Sequence, residues 1–326
     1  MLAFKRLSSG GAIVNYFCSS QCRHCVYASS PAWPKDYMDA RTARTTFAAL
    51  KSLGCSSVHI GGGEPLLRPA SLMEVLKEAR NEGMGIEYIE TNASWFTTPQ
   101  AAEALLGQLL DHGVSTLLVS IDPYHNEYIP FAKTKGLLEA CRTAGMGVFP
   151  WRMEFWDDLA SFDDSKPHRL EEYAERFGAD YPRHLMARYG LNMRGRALAS
   201  FGRYLKKRPV MEILAESGPC AELRGTQHFH ADLYGNFIPQ SCAGLSMKVA
   251  DLAAGADSGT YPYLSLLDGQ GIRGLWDYAR DAHGFKEKAE YAGKCDLCYD
   301  LRRYLVMERG IDSPDLQPRG HYEHMA

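Results

Sequence analysis

The chain has no apolar run near the eighteen residues that a membrane-spanning helix needs. It has no basic excess either: 36 Lys and Arg stand against 39 Asp and Glu, a formal net charge of −3. Nucleic acids and anionic membranes are therefore poor partners, since both are held by concentrated positive charge. The opening stretch, MLAFKRLSSGGAIVNYF, lacks the apolar core and small-residue cleavage site of a secretory signal. No internal repeat or low-complexity tract interrupts the 326 residues. These absences predict a cytoplasmic protein that binds neither nucleic acid nor membrane. The remaining composition, 45% hydrophobic and 23% charged, is that of an ordinary folded chain.

What the chain does have is nine cysteines. A reducing cytoplasm argues against disulfides, which leaves metal binding, catalysis or inert burial. Seven fall into two sets: Cys18, Cys22 and Cys25, then Cys220, Cys242, Cys295 and Cys298. Cys55 and Cys141 stand alone and read as buried free thiols.

The first two-thirds alternate short β-rich runs with amphipathic stretches. Strands are expected near Ala12–Tyr16, Ser57–Ile60, Gly85–Ile89, Ser115–Val119, Gly147–Trp151 and Tyr189–Met193. Helices are expected at Ala40–Leu53, Leu72–Asn81, Pro99–His112, Gly136–Ala144 and Arg169–Phe177, several followed by a capping glycine. This rhythm predicts an α/β fold, a partial (β/α)6 TIM-like barrel with a parallel sheet. Near Glu216 the rhythm stops and glycine, proline and cysteine become dense. We therefore expect a barrel domain over residues 1–215, a small loop-rich metal-organised domain over 216–310 and an irregular tail over 311–326.

Three thiolates from one short loop can hold three corners of a cubane iron–sulfur cluster and leave its fourth iron open to a ligand. A zinc site lacking its fourth ligand is the other reading; His24, wedged between Cys22 and Cys25, is poorly placed to supply it. The other motifs fall where a parallel barrel collects its chemistry, at the C-terminal ends of strands. GGGEP (Gly61–Pro65) follows the second expected strand, ETN (Glu90–Asn92) the third, SIDPYH (Ser120–His125) the fourth, RMEFW (Arg152–Trp156) the fifth and RGRA (Arg194–Ala197) the sixth.

CxxxCxxC after the first strand, His24 before its last cysteine, and GGGEP after the second strand together resemble the radical S-adenosylmethionine (radical SAM) superfamily. The resemblance covers about Gly11 to Ser200. It implies that Cys18, Cys22 and Cys25 carry a catalytic [4Fe–4S] cluster that binds S-adenosylmethionine. It implies close backbone approach of Gly61, Gly62 and Gly63 to the methionine moiety, and Glu64 as partner of its ammonium group. Ser120, Asp122 and Asn92 are the expected ribose contacts. Arg196, preferred over Arg194, is the expected carboxylate partner. His24 and Tyr27 are placed at the adenine. A reduced flavodoxin or ferredoxin-type donor is the expected electron source. The cluster cleaves S-adenosylmethionine to methionine and a 5′-deoxyadenosyl radical, which abstracts hydrogen from a substrate carbon.

Cys295 and Cys298 form CxxC, and Cys220 and Cys242 lie 22 positions apart around the turn YGNFIPQSC. Spacing alone fits structural zinc as well as iron–sulfur. Beside the radical SAM motifs the set resembles a C-terminal twitch domain, the half-size form of the SPASM domain. The resemblance implies one auxiliary [4Fe–4S] cluster, although Cys242, seven positions after Gly235, lies farther along the hairpin than the usual twitch spacing. Four ligands would close that cluster and fit it for electron transfer, which points to oxidative chemistry.

The substrate is less legible. Phe149–Asp158 combines aromatics with Arg152 and Glu154 at the expected mouth, and Pro123–His125 and His228–Phe237 contribute further rings. A ribosomally made peptide and a small metabolite both suit such a wall. The short stretch before Cys18 leaves no room for an N-terminal leader-binding domain, so a peptide substrate would need another means of recognition. A non-catalytic zinc or iron–sulfur regulatory protein is the reading from a different class.

Overall fold

Runs such as SVHIG and TLLVS are too short for helices and rich in β-branched residues, so they pair as strands. Residues 2–325 are described by the computed structural model. Strands β1 (Ser9–Ile13), β2 (Ser57–Gly61), β3 (Gly85–Thr91), β4 (Thr116–Ser120) and β5 (Gly147–Trp151) form a parallel sheet in the order β5-β4-β3-β2-β1. Between them run α1 (Ala40–Ser52), α2 (Pro69–Asn81), α3 (Pro99–Asp111) and α4 (Phe131–Ala144). Asp39 caps α1 and Thr98 caps α3, each accepting a backbone N–H with its side chain. Leu50, Val75, Leu106 and Leu137 are among the buried helix residues that close the core over the sheet.

The sixth expected strand does not form. Tyr181, Leu185 and Tyr189 recur every fourth residue and are buried, so α5 (Leu170–Phe177) is followed by α6 (Tyr181–Tyr189), and residues 190–193 run as a turn and loop. Gly190, with φ of 65°, ends α6 in the left-handed conformation. β1 also starts and ends earlier than expected: beyond it Asn15 Nδ2 donates to Glu64 O at 3.1 Å and Tyr16 OH to Asp232 at 3.0 Å.

The place beside β1 is taken by β6 (Gln227–Asp232), which pairs with it in parallel from Ser9↔Gln227 to Ile13↔Asp232. β7 (Asn236–Ile238) and β8 (Met247–Lys248) continue the sheet antiparallel. One open, eight-stranded, mostly parallel sheet thus runs from the N-terminal part into the cysteine-rich part. It has the partial-barrel character expected, although it crosses the position taken for a domain boundary. Helices α7 (Pro262–His283) and α8 (Lys294–Arg303) cover the C-terminal part.

Residues 311–325 are packed rather than loose. Asp315, fully buried, accepts the backbone N–H groups of Tyr263 and Leu264 at the start of α7. Tyr322 is buried and its hydroxyl donates to the Gly244 carbonyl. Cys55 and Cys141 are buried free thiols, as expected. No helix among the described residues is long and apolar enough to cross a membrane.

Candidate metal centres

The loop after β1 carries Cys18 and Cys22, both buried, and the half-buried Cys25. Ser20 N–H and Asn92 Nδ2 donate to Cys18 Sγ at 3.4 and 3.5 Å. Burial pushes the Cys18 thiol up to about 12 and raises Cys22 well above the ordinary thiol range. Such thiols stay protonated without a metal and are deprotonated outright by one. Two donors aimed at one sulfur suit a thiolate ligand.

Arg196 holds this loop from below. Its guanidinium, 5% exposed, donates to the carbonyls of Cys22 (3.0 Å), Ala28 (2.8 Å), Ser29 (3.2 Å) and His324 (3.4 Å). Its own N–H donates to Cys25 O at 3.0 Å. These bonds commit Arg196 to the loop backbone. Its Nε is buried without a partner. Gly195 beside it has φ of 56°, and a Cβ there would lie 2.2 Å from the Val26 carbonyl oxygen, so only glycine fits.

The glycine run approaches the chain itself. A Cβ on Gly63 would stand 2.0 Å from Phe17 O, and one on Gly62 2.5 Å from Asn15 O. Gly63 N–H donates to Asn15 O at 2.9 Å and Glu64 N–H to Phe17 O at 3.1 Å. The glycines thus let β2's end pack closely on the strand leading to Cys18. Glu64, fully buried, accepts from Asn92 N–H (2.7 Å), Leu66 N–H (3.1 Å) and Thr91 Oγ1 (3.1 Å). Burial pushes its carboxyl up to about 7 against those donors. It ties the ends of β2 and β3 together, and its bonds are already made within the chain. Asn92 faces Cys18 and Ser20.

His24 and Asp122 do come together. The His24 ring stacks on Tyr124 at 4.7 Å and meets the edges of His125 and Tyr189. Burial pushes His24 down to about 3, so its imidazole is neutral, and its Nδ1 is buried without a partner. Asp122 bonds both the N–H (3.1 Å) and Nδ1 (2.8 Å) of His125. Burial pushes the Asp122 carboxyl up, yet His125 outweighs it and holds it below the usual range. Ser120 closes β4 just before this pair. Arg152 stacks over Trp151 and Tyr189 at 4.5 and 4.8 Å, with Glu154 3.6 Å away.

The second set also converges. Cys220, Cys242, Cys295 and Cys298 line one cavity of about 50 Å³, with Arg194, Glu222, Lys294 and Arg302. Burial raises Cys220, Cys295 and, to about 11, Cys242. Among the described residues, the trio whose ligand atoms all lie within 4.8 Å of one another is His24, Asp122 and His125; no three cysteine sulfurs do so.

Sequence reasoning missed a polar chain inside the sheet's hollow. Tyr27 OH meets His230 Nδ1 at 2.7 Å, His230 Nε2 meets His59 Nε2 at 3.1 Å, and His59 Nε2 lies 3.8 Å from Glu90. Tyr27 thus faces this hollow. Tyr88 stacks on His59 at 5.2 Å and Phe149 meets Tyr88 edge-on. The signal available was strand alternation: His59 sits between Val58 and Ile60, and Tyr88 and Glu90 flank Ile89.

Residues 12–148 match the family model of the Radical SAM superfamily. Its members work with a [4Fe–4S] cluster and S-adenosylmethionine. The matched span holds Cys18, Cys22, Cys25, the glycine run and the β4 end. No curated protein sequence matches the chain. Among solved structures, SuiB of Streptococcus suis bound to precursor peptide SuiA is 14% identical over 97% of this chain and 75% of its own, with a TM-score of 0.34. Native anSMEcpe with bound AdoMet is 11% identical over 92% of this chain and 97% of its own, TM-score 0.44. BtrN in complex with AdoMet and 2-DOIA is 14% identical over 83% and 90%, TM-score 0.41.

Proposed function

We propose that this chain is a radical SAM oxidoreductase that carries out an oxidative modification, with a ribosomally made peptide as substrate. Cys18, Cys22 and Cys25 would hold the cluster that binds S-adenosylmethionine, and Cys220, Cys242, Cys295 and Cys298 an auxiliary [4Fe–4S] cluster. When bound, the first group supplies reductive cleavage of S-adenosylmethionine, from a flavodoxin or ferredoxin-type donor, and the second an electron acceptor. The observation that carries the reading is the convergence of Cys220, Cys242, Cys295 and Cys298 on one cavity in a chain whose residues 12–148 match the Radical SAM family model.

The protein's own groups prepare the site. Arg196 and Gly195 fix the loop that presents the three thiols. His24, neutral and flanked by rings, offers a flat aromatic face beside them. Ser120 and Asp122 stand at the adjacent strand end and serve ribose hydroxyls. Peptide modification is supported by the edge of the sheet: Phe149 and Met153 are exposed there, next to the hollow lined by Tyr88, Glu90 and His59. A small-metabolite reading is favoured by that same hollow, whose paired imidazoles and carboxylate suit hydroxyl groups.

The test is iron, sulfide and zinc per chain after anaerobic reconstitution, with 5′-deoxyadenosine measured under strong reductant. We expect about eight irons, falling to about four when Cys18, Cys22 and Cys25 are all replaced by Ala. Cys22→Ala should abolish 5′-deoxyadenosine formation, and Cys295→Ala should retain it in part. About four irons falling to none, with one zinc remaining, would remove the auxiliary acceptor and the oxidative reading with it.

A further inference from the structure

The cavity of the second cysteine set has an unusual charge balance. Arg302 is 6% exposed and donates to Ala243 O and Tyr322 OH, both at 3.0 Å. Its Nε is buried without a partner. No carboxylate among the described residues pairs with it, and it lines one cavity with Cys298. Arg194 lines the same cavity as Cys295. Glu222, the carboxylate whose field reaches Arg194, is tied to Lys294 at 2.8 Å and accepts from Cys220 Sγ at 3.3 Å. His321 also lines the cavity and is neutral, since burial, with Arg302 close by, pushes it down to about 3. Arg194, Arg302 and Lys294 against Glu222 leave two positive charges in excess. A buried guanidinium without a counter-charge is costly, so this arrangement suits a group that brings negative charge.

We propose that Arg194 and Arg302 set the reduction potential of the auxiliary cluster, holding it high enough to accept an electron from the substrate radical. The proposal rests on the reading of Cys220, Cys242, Cys295 and Cys298 as iron–sulfur ligands. A [4Fe–4S] core of charge 2+ with four thiolates carries two negative charges, and one-electron reduction makes three. Two guanidiniums lining the cavity beside the four sulfurs would stabilise the reduced form more than the oxidised one. Net charge and hydrogen bonds to sulfur are the levers that tune such clusters. In turnover the substrate radical is oxidised by one electron, the core goes from 2+ to 1+, and the substrate proton is released to water. Arg194 and Arg302 are positioning residues in this scheme, because they act through the ligand sulfurs.

The geometry also explains the R-G-R sequence. Arg194 reaches the second cysteine set while Arg196, two residues on, reaches the first, and Gly195 is pressed on Val26 between them. One short segment therefore brackets both metal centres.

The experiment is a redox titration of the auxiliary cluster followed by electron paramagnetic resonance. It uses the reconstituted full chain with Cys18, Cys22 and Cys25 replaced by Ala, so that one cluster contributes. We expect Arg194→Gln to shift the midpoint to more negative potential at unchanged iron content. Arg194→Lys, which keeps the charge, should stay closer to the parent. Glu222→Gln should shift it the other way. Arg302→Gln should act like Arg194→Gln; Arg194 is half-buried, so its variants keep the test valid even if Arg302→Gln fails to fold. Equal midpoints in the parent and in Arg194→Gln and Glu222→Gln, with iron present, would overturn the tuning role alone. Zinc in place of iron would overturn both this proposal and the auxiliary-cluster reading.

Discussion

Replacing Arg196 by Gln strips the donors from beneath the carbonyls of Cys22, Ala28 and Ser29, all in buried residues. Each buried acceptor left unsatisfied costs about 1–3 kcal/mol. We expect a loss of at least about 3 kcal/mol in urea unfolding, together with lower iron retention after reconstitution. His230 gives a pH signature. Burial, and His59 next to it, push its imidazole down to about 3. Between about pH 3 and pH 6.5 the unfolded chain binds a proton there that the folded chain refuses. This contribution is complete above pH 6.5 and is lost progressively as pH falls through that window, by up to about 1.4 kcal/mol per pH unit. His230→Gln should therefore lose less of its urea midpoint between pH 8 and pH 5 than the parent does. At this scale the cysteines were legible, because few chemistries need three thiols in eight residues. The jobs of Arg196, Glu64 and Asn92 were not, because residue type names the donors and acceptors a side chain has and leaves open which partner is nearest in the fold.

Helix α7 begins with its first N–H groups facing Asp315 from the distant end of the chain. Such a cap satisfies donors the helix cannot bond itself. Asp315→Ala should cost about 2 kcal/mol and lower the melting temperature, with far-ultraviolet circular dichroism before the transition little changed. Five strands and the helices between them were readable, because each carries its own periodicity and capping residues. Tyr189–Met193 misled because its apolar residues fit a strand locally, while the spacing of Tyr181, Leu185 and Tyr189 belongs to a helix. The C-terminal segment looked irregular because its order comes from partners far away: Trp33 against Gly320 and His324, Arg302 against Tyr322.

Across the whole molecule, β1 lies between β2 and β6, so the sheet cannot be divided at the point where the sequence rhythm changes. Composition marks such a change well, but pairing between distant strands leaves no local trace. A fragment of residues 1–215 would leave one face of β1 without its ladder partner. We expect this fragment to aggregate, and the intact chain to unfold in one transition seen alike by tryptophan fluorescence and circular dichroism.

The pairing of β1 with β6 also orders events on the ribosome. Ser9 leaves the exit tunnel early, whereas its partner Gln227 is synthesised on the order of ten seconds or more later. Throughout that interval the thiols that follow β1 belong to a nascent sheet with one open flank. A cell that loads iron onto them must either protect the growing chain from oxygen and stray metals or delay delivery until translation has passed Asp232.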